Sequence, residues 1–242
     1  MNIPAQLSLP VQLPDGETFA SFYPGANVQL LTALKNAAVG QGDPFIYLFG
    51  NQSSGTSHLL HAACTESTDS ERSAAYLPME MSMMMSPSVL DGMEHLDMVC
   101  IDNIEMIAGI SEWEIALFNF YNRWRDQHSQ DINAENKRGS LIVTGNSAAR
   151  HLAIELPDLL SRLDWGVSYQ VQLLDDDAKL AALQLRAEFR GLKLSVDVGR
   201  FLLNRSSRDM KDLIATLDRL DTASISAQRR LTIPFVKDTL SW

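Results

Sequence analysis

Phe45-Ile46-Tyr47-Leu48-Phe49-Gly50-Asn51-Gln52-Ser53-Ser54-Gly55-Thr56-Ser57-His58-Leu59-Leu60 carries the strongest structural signal in the chain. Its first five residues are apolar without alternation, as in a strand buried on both faces. Glycines and small polar residues follow. His58-Leu59-Leu60-His61-Ala62-Ala63-Cys64 then reads as helix. A strand covered on both faces belongs to a parallel sheet with helices on either side, so the expected class is α/β.

Upstream, residues 24–40 predict a helix with Val28, Leu31, Leu34 and Ala38 on its apolar face and Gly40 as its stop. Downstream, Ala74–Leu77 is a weak strand and Ser86-Pro87 opens a short helix. Met98–Asp102 is an apolar strand ending in an acid. Ser111-Glu112-Trp113-Glu114 reads as a capping box. It opens a helix with Trp113, Leu117, Phe120, Tyr121 and Trp124 at helical spacing, a stripe that reads as core. Residues 126–138 are polar and unperiodic, as in a surface loop. Strands follow at Ser140–Thr144 and Tyr169–Leu173.

Beyond Leu173 only helical periods occur. Asp175, Ser195 and Ser207 are candidate caps, and Pro234 opens a last short helix. The expected organisation is an extended leader over 1–18, interrupted by Pro4, Pro10 and Pro14, an α/β domain over 19–174 and an all-α domain over 175–242. With 20 Lys and Arg against 30 Asp and Glu, the net charge is −10. That balance disfavours direct DNA binding, because phosphate neutralisation supplies most non-specific affinity. No apolar run is long enough to span a bilayer and no secretion signal opens the chain, so a cytoplasmic location without membrane contact is expected. Cys64 and Cys100, both in apolar surroundings, read as buried reduced thiols.

Gly50, Gly55 and Ser57 fit the phosphate-binding loop G-x-x-x-x-G-K-[ST], with Thr56 where lysine would stand. Glycines let backbone N–H groups close around phosphates, and the helix start favours negative charge. Ser53, Ser54 and His58 complete the candidate cradle, and Ser57 could hold Mg²⁺. Asp102 matches the Mg²⁺-orienting acid of such sites. Asn103 follows it and cannot take a proton, so the chain's own hydrolysis is expected to be weak. Asn146, in Thr144-Gly145-Asn146, stands where a side chain can sense a γ-phosphate. Arg162, in Leu159-Leu160-Ser161-Arg162-Leu163-Asp164-Trp165-Gly166, suits charge stabilisation in trans. In the leader, Gln6-Leu7-Ser8-Leu9-Pro10 resembles short peptides that dock in the apolar pocket of the bacterial sliding clamp.

Taken together these segments resemble the AAA+ ATPases of the replication-initiator type, and among them the Hda family of DnaA-related regulators. Glu17–Gly25, Val89–Leu96, Val99–Glu105, Leu156–Gly166, Asp197–Asn204 and Leu231–Lys237 carry the likeness, which spans nearly the whole chain. The resemblance implies an AAA+ α/β domain with a helical lid. It implies ADP held as a structural ligand by Gly50, Gly55, Thr56 and Ser57, with the adenine beside Phe22, Tyr23 and Pro24. It further implies that Gln6–Pro10 bind the β sliding clamp of DNA polymerase III, so that DNA is met only through the clamp. Arg162 would then reach the nucleotide pocket of DnaA and stimulate hydrolysis of its ATP. Lys211 falls where the lid's sensor arginine sits. The function so implied is negative regulation of replication initiation, by an activator of a partner's ATPase that is not itself an enzyme. Homo-oligomer formation is compatible with it. Two other readings are an autonomous ATPase or loader, opposed by Thr56 and Asn103, and a nucleotide-free scaffold. In the methionine-rich stretch Pro78–Pro87, gap filling and partner contact both remain open.

Overall fold

The computed structural model describes residues 14, 16–128 and 138–242. The clamp-peptide candidates Gln6, Leu7, Ser8, Leu9 and Pro10 lie outside the described residues, as do 129–137 of the expected surface loop. The start of that loop is helical, because the helix Ser111–His128 runs into it.

Five strands, β1 (Phe45–Phe49), β2 (Ala74–Pro78), β3 (Met98–Asp102), β4 (Ser140–Gly145) and β5 (Val167–Gln170), form one sheet in the order β2-β3-β4-β1-β5. Every pairing is parallel. Successive side chains alternate between faces. Phe45, Tyr47, Val99, Ile101, Leu141 and Val143 pack on one side with helices α3 (Ser111–His128) and α4 (Pro157–Leu163). Ile46, Leu48, Met98, Cys100 and Ile142 pack on the other with α1 (Val28–Ala38) and α2 (Thr56–Asp69). Cys64 and Cys100 are buried free thiols in that second layer, and burial pushes the Cys100 thiol up.

Within the α/β part, three more local details depart from the sequence expectation. The buried face of α1 is Leu30, Leu31, Leu34, Ala37 and Ala38, and Val28 faces out at 58 % exposed. Gly40, at φ +76°, does close the helix: Gly40 N–H donates to Ala37 and Gln41 N–H to Asn36, a Schellman stop. β5 begins at Val167 because pairing with β1, not burial, defines this edge strand. The third departure is the capping box. The Ile110 carbonyl accepts from the N–H of Trp113 and Glu114, so the helix start lies one residue earlier. Glu114 turns inward instead of back onto Ser111. Its carboxylate, in a residue 1 % exposed, accepts from Gly109 N–H (2.7 Å), Glu155 N–H (3.1 Å) and Leu156 N–H (2.8 Å).

The remaining helices, α5 (Asp176–Phe189), α6 (Val196–Arg205), α7 (Met210–Ala227) and α8 (Ile233–Leu240), enclose a separate leucine-rich core. Asp175 and Ser195 cap α5 and α6 as expected. Asp209, not Ser207, caps α7: its Oδ1 accepts from Lys211 N–H, while Ser207 Oγ accepts from Asp209 N–H. No helix among the described residues is long and apolar enough to cross a membrane.

Glu114 thus pins the segment that launches α4. Replacing it with Ala removes the acceptor shared by the N–H groups of the exposed Gly109 and Glu155 and the half-buried Leu156. A buried orphan costs on the order of 1–3 kcal/mol and a wetted one less, so Glu114→Ala should destabilise by about 2–3 kcal/mol. Thermal unfolding should show this as a midpoint drop of roughly 6 °C or more, with Glu114→Gln losing less.

Candidate nucleotide site and an arginine at the opposite end of the sheet

In an open parallel sheet, ligands meet the carboxyl ends of the strands where connections diverge. Here that point lies between β1 and β4, since β1 leads away over β4 toward β2 while β4 leads back over β1 toward β5. Gly50 follows β1, with its N–H donating to the Gly145 carbonyl at 3.3 Å. The loop turns through Ser53 at φ +62° and Gly55 at φ +93°, and Thr56 begins α2. Gly55 is needed twice over: its backbone is left-handed, and a Cβ there would stand 2.9 Å from the Phe22 ring. Ser54 Oγ is buried without a hydrogen-bond partner among the described residues. The loop therefore has the glycines, the helix start and an orphaned hydroxyl that suit a phosphate.

Asp102 is level with Thr144 and Leu48 by the strand register, two strands from the loop. Its carboxylate is almost fully enclosed (1 % exposed). Tyr76 Oη donates to Oδ2 at 2.7 Å, and Thr144 Oγ1 donates to Oδ1. Thr144 in turn accepts from Asn103 N–H at 2.9 Å. Burial, reinforced by the Asp102 charge, pushes the Tyr76 phenol up, so it stays a donor. Asn103, at φ +57°, donates its amide to Glu80. Both Asp102 oxygens are thus committed within the protein and lie out of solvent. Ser57 is half-buried beside the loop. This pair does not form an open Mg²⁺ site, and no step is derived through the metal.

Asn146 N–H donates to Glu105 at 3.2 Å. Asn146 shares a cleft of about 400 Å³ with Gly50, Asn51, Arg150 and His151, so the structure does bring it to the loop. Burial, with the charges of Asp102 and Glu80, pushes the Glu105 carboxyl up. Lys211 is exposed on the first turn of α7 and has no side-chain bond among the described residues.

The half-buried Phe22, Tyr23 and Pro24 are bracketed on three sides. Phe22 meets the His58 ring edge-on at 5.2 Å. Asn27 exchanges two hydrogen bonds with Gln172 in the linker. Arg186 of α5 donates to the Gly16 carbonyl (2.8 Å) and to Ser21 Oγ (3.2 Å). His61 Nδ1 donates to Glu17 at 2.6 Å, and His58 Nε2 donates to the Thr18 carbonyl at 2.9 Å. This latch joins the N-terminal segment, α2 and α5. Sequence reading placed His58 and His61 on a helix but missed their partners, because the contacts span 37 to 170 positions.

Arg162 sits elsewhere. It is half-buried on α4 and forms no ion pair among the described residues. Burial pushes the Tyr121 phenol up, and the charges of Arg162 and Arg125 oppose this, which places Arg162 near Tyr121. The Tyr121 ring meets Phe45 at 5.3 Å, and Phe45 is the first residue of β1. The five residues of β1 extend about 13 Å from that point to the loop. The arginine and the loop are at opposite ends of one strand.

Residues 176–240 match the family model described as "Hda, lid domain". The whole chain superposes on domain III of the Thermotoga maritima replication initiation protein DnaA, with TM-score 0.76, 16% identity and coverage of 96% of this chain and 98% of that one. The C-terminal segment thus matches the Hda lid, and the chain as a whole has the fold of DnaA domain III. A replication initiator DnaA bound to AMPPCP and single-stranded DNA also matches, with TM-score 0.71, 16% identity and coverage of 90% and 70%. The Thermotoga maritima RuvB Holliday junction branch migration motor shares the fold more distantly, with TM-score 0.64, 14% identity and coverage of 95% and 72%. The parallel sheet flanked by helices and the C-terminal all-α region are those the resemblance implied.

The latch makes stability depend on pH. Burial pushes the Glu17 carboxyl up, but the His61 hydrogen bond and the charges of His58, His61 and Arg186 outweigh it and hold it below its usual value. Burial pulls the His58 imidazole down, against the Thr18 hydrogen bond and the Glu17 charge. In both cases the unfolded chain takes up protons at higher pH than the folded one, so acidification destabilises. The loss should begin below about pH 6.5 through His58 and deepen below about pH 4.5 through Glu17. Unfolding midpoints measured across this range should fall with pH, and His58→Gln should flatten the first part of the decline.

Proposed function

We propose that this AAA+ protein is a DnaA-related regulator of replication initiation that holds ADP at the Gly50–Ser57 loop and lends Arg162 to the nucleotide site of DnaA. The single observation that supports this best is the placement of Arg162 at the far end of β1 from its own loop, without an ion pair among the described residues. A guanidinium so placed cannot serve its own nucleotide and is open to another subunit. ADP would supply charge and shape that order the loop and the Phe22–Pro24 segment. The backbone of Gly50–Gly55 and the start of α2 would bind its phosphates, with Thr56 and Ser57 offering hydroxyls. Asn103 cannot act as a base, and Asp102 is spoken for by Tyr76 and Thr144. Weak or absent turnover by the chain alone fits both facts. The leader peptide Gln6–Pro10 would carry the protein to the sliding clamp, which fits a net charge of −10 with no need for direct DNA contact.

The test is hydrolysis of DnaA-bound ATP in the presence of clamp-loaded DNA. Arginine fingers contribute about 10³–10⁵ in rate, so Arg162→Ala should remove nearly all stimulation while clamp binding persists. Deleting residues 6–10 should abolish clamp binding and, with it, the clamp-dependent stimulation. Stimulation by both variants equal to the parent's would sink the reading. Steady-state ATP hydrolysis by the isolated chain would favour an autonomous ATPase, and calorimetry without ADP heat would favour a scaffold.

The committed Asp102 carries a separate prediction. ADP affinity, measured by calorimetry, should change by less than about threefold between Mg²⁺ and EDTA, under 1 kcal/mol. A tenfold loss in EDTA would show that Asp102 or Ser57 opens to the metal.

A further inference from the structure

Trp165 leaves most of its indole in water, at 70 % exposed, while Trp113 and Trp124 are buried. Nothing within the fold explains this. Its backbone, by contrast, is fixed on both sides. Trp165 N–H donates to the Arg162 carbonyl at 3.3 Å, closing the end of α4. Gly166 packs so tightly against Phe45 that a Cβ would overlap the ring. Val167, 38 % exposed, continues the surface onto the edge strand β5. An exposed indole on a fixed backbone, a guanidinium without an ion pair among the described residues and a valine therefore share the amino-terminal end of the sheet.

We propose that Trp165 is the affinity anchor of the surface through which Arg162 reaches a second AAA+ subunit carrying a nucleoside triphosphate. This rests on the reading of Arg162 as a trans-acting group. Charge complementarity selects the occupant. An unpaired guanidinium seeks phosphate or carboxylate oxygens in a planar fork, and a triphosphate held in a P-loop provides them. A copy of this chain is a poorer holder of a triphosphate, since its loop has Thr56 in place of lysine. Tryptophan and arginine are the residue types that dominate binding energy at protein interfaces. In this division of labour Trp165 sets how tightly the partner is held, and Arg162 sets how fast the held triphosphate is cleaved.

The experiment titrates the full chain into ATP-loaded DnaA with clamp-loaded DNA and reads hydrolysis. Trp165→Ala should raise the half-maximal concentration about tenfold or more and leave the saturating rate near the parent's. Trp165→Phe should recover much of the lost affinity, as an aromatic anchor requires. Arg162→Ala should do the opposite, lowering the saturating rate. Indole emission should shift to the blue on mixing with the partner, and the shift should vanish in Trp165→Ala. A half-maximal concentration within about twofold of the parent's, or a lowered saturating rate in Trp165→Ala, overturns the proposal while the Arg162 reading stands. An emission shift on self-association alone also overturns it, in favour of a second copy as occupant. If the parent chain fails to stimulate hydrolysis at any concentration, the Arg162 reading falls and this proposal falls with it.

Discussion

Both faces of the sheet are covered by helices, and that coverage governs where chemistry can occur. β3 and β4 are buried along their whole length, and β1 along all but its last residue. Polar function is therefore confined to strand ends. At the carboxyl end, backbone N–H groups emerge with the start of α2. At the amino end, the chain returning from β4 descends through α4 and presents Arg162 and Trp165 before entering β5. A parallel sheet forces these two ends apart by the length of a strand. Separation of the Gly50–Ser57 loop from Arg162 thus follows from the fold.

The carboxyl end is also arranged to hold its acids still. Asp102 links the tops of three adjacent strands, because Tyr76 comes from β2 and Thr144 from β4. A buried carboxylate is costly unless its lone pairs are satisfied. Here two hydroxyl donors satisfy it, and the Thr144 hydroxyl is itself oriented by Asn103 N–H. Freeing Asp102 for a hydrated metal would break this chain and leave the Tyr76 hydroxyl without its acceptor. The same interactions that stabilise the sheet edge oppose its use as a metal site. With Thr56 lacking a lysine's charge, binding there depends on backbone dipoles.

How much of this was legible in the sequence follows from the range of the interactions. The P-loop strand, the Asp-ended strand and Ser140–Thr144 could be read because each is a continuous apolar run, and double burial writes itself into consecutive residues. The lid could be read because its leucines recur at helical spacing. β5 was placed two residues late, since an edge strand held by pairing has no burial pattern. Val28 was assigned to the wrong face because one apolar residue on a short helix barely constrains its rotation. Glu114 followed the local capping pattern yet serves residues 41 and 42 positions away. Tyr76, Glu17 and Arg186 bear no local mark at all. Their roles exist only once the fold has brought their partners near. For the candidate site the glycines and Asp102 could be named in advance, but whether Asp102 stood open or committed could not.

The environment of Arg162 bears on what such a group can contribute. A fully exposed arginine loses about 2 kcal/mol of rotamer freedom when it docks, which cuts into the gain from a bidentate contact. A fully buried one cannot reach a neighbour. Arg162 lies between these limits: Leu159 and Leu163 fix its helix on α3, Tyr121 lies beside its charge, and no carboxylate neutralises it among the described residues. Glu114 holds the other end of the same helix by fixing Glu155 and Leu156. The helix that carries the guanidinium is thus fixed at both ends, and no ion pair among the described residues engages its charge, so on the proposed reading part of the ordering cost would be met by folding. Charge stabilisation in a water-poor site depends on donors that need little reorganisation when the transition state forms. An arginine mounted in this way satisfies that condition better than one on a mobile loop.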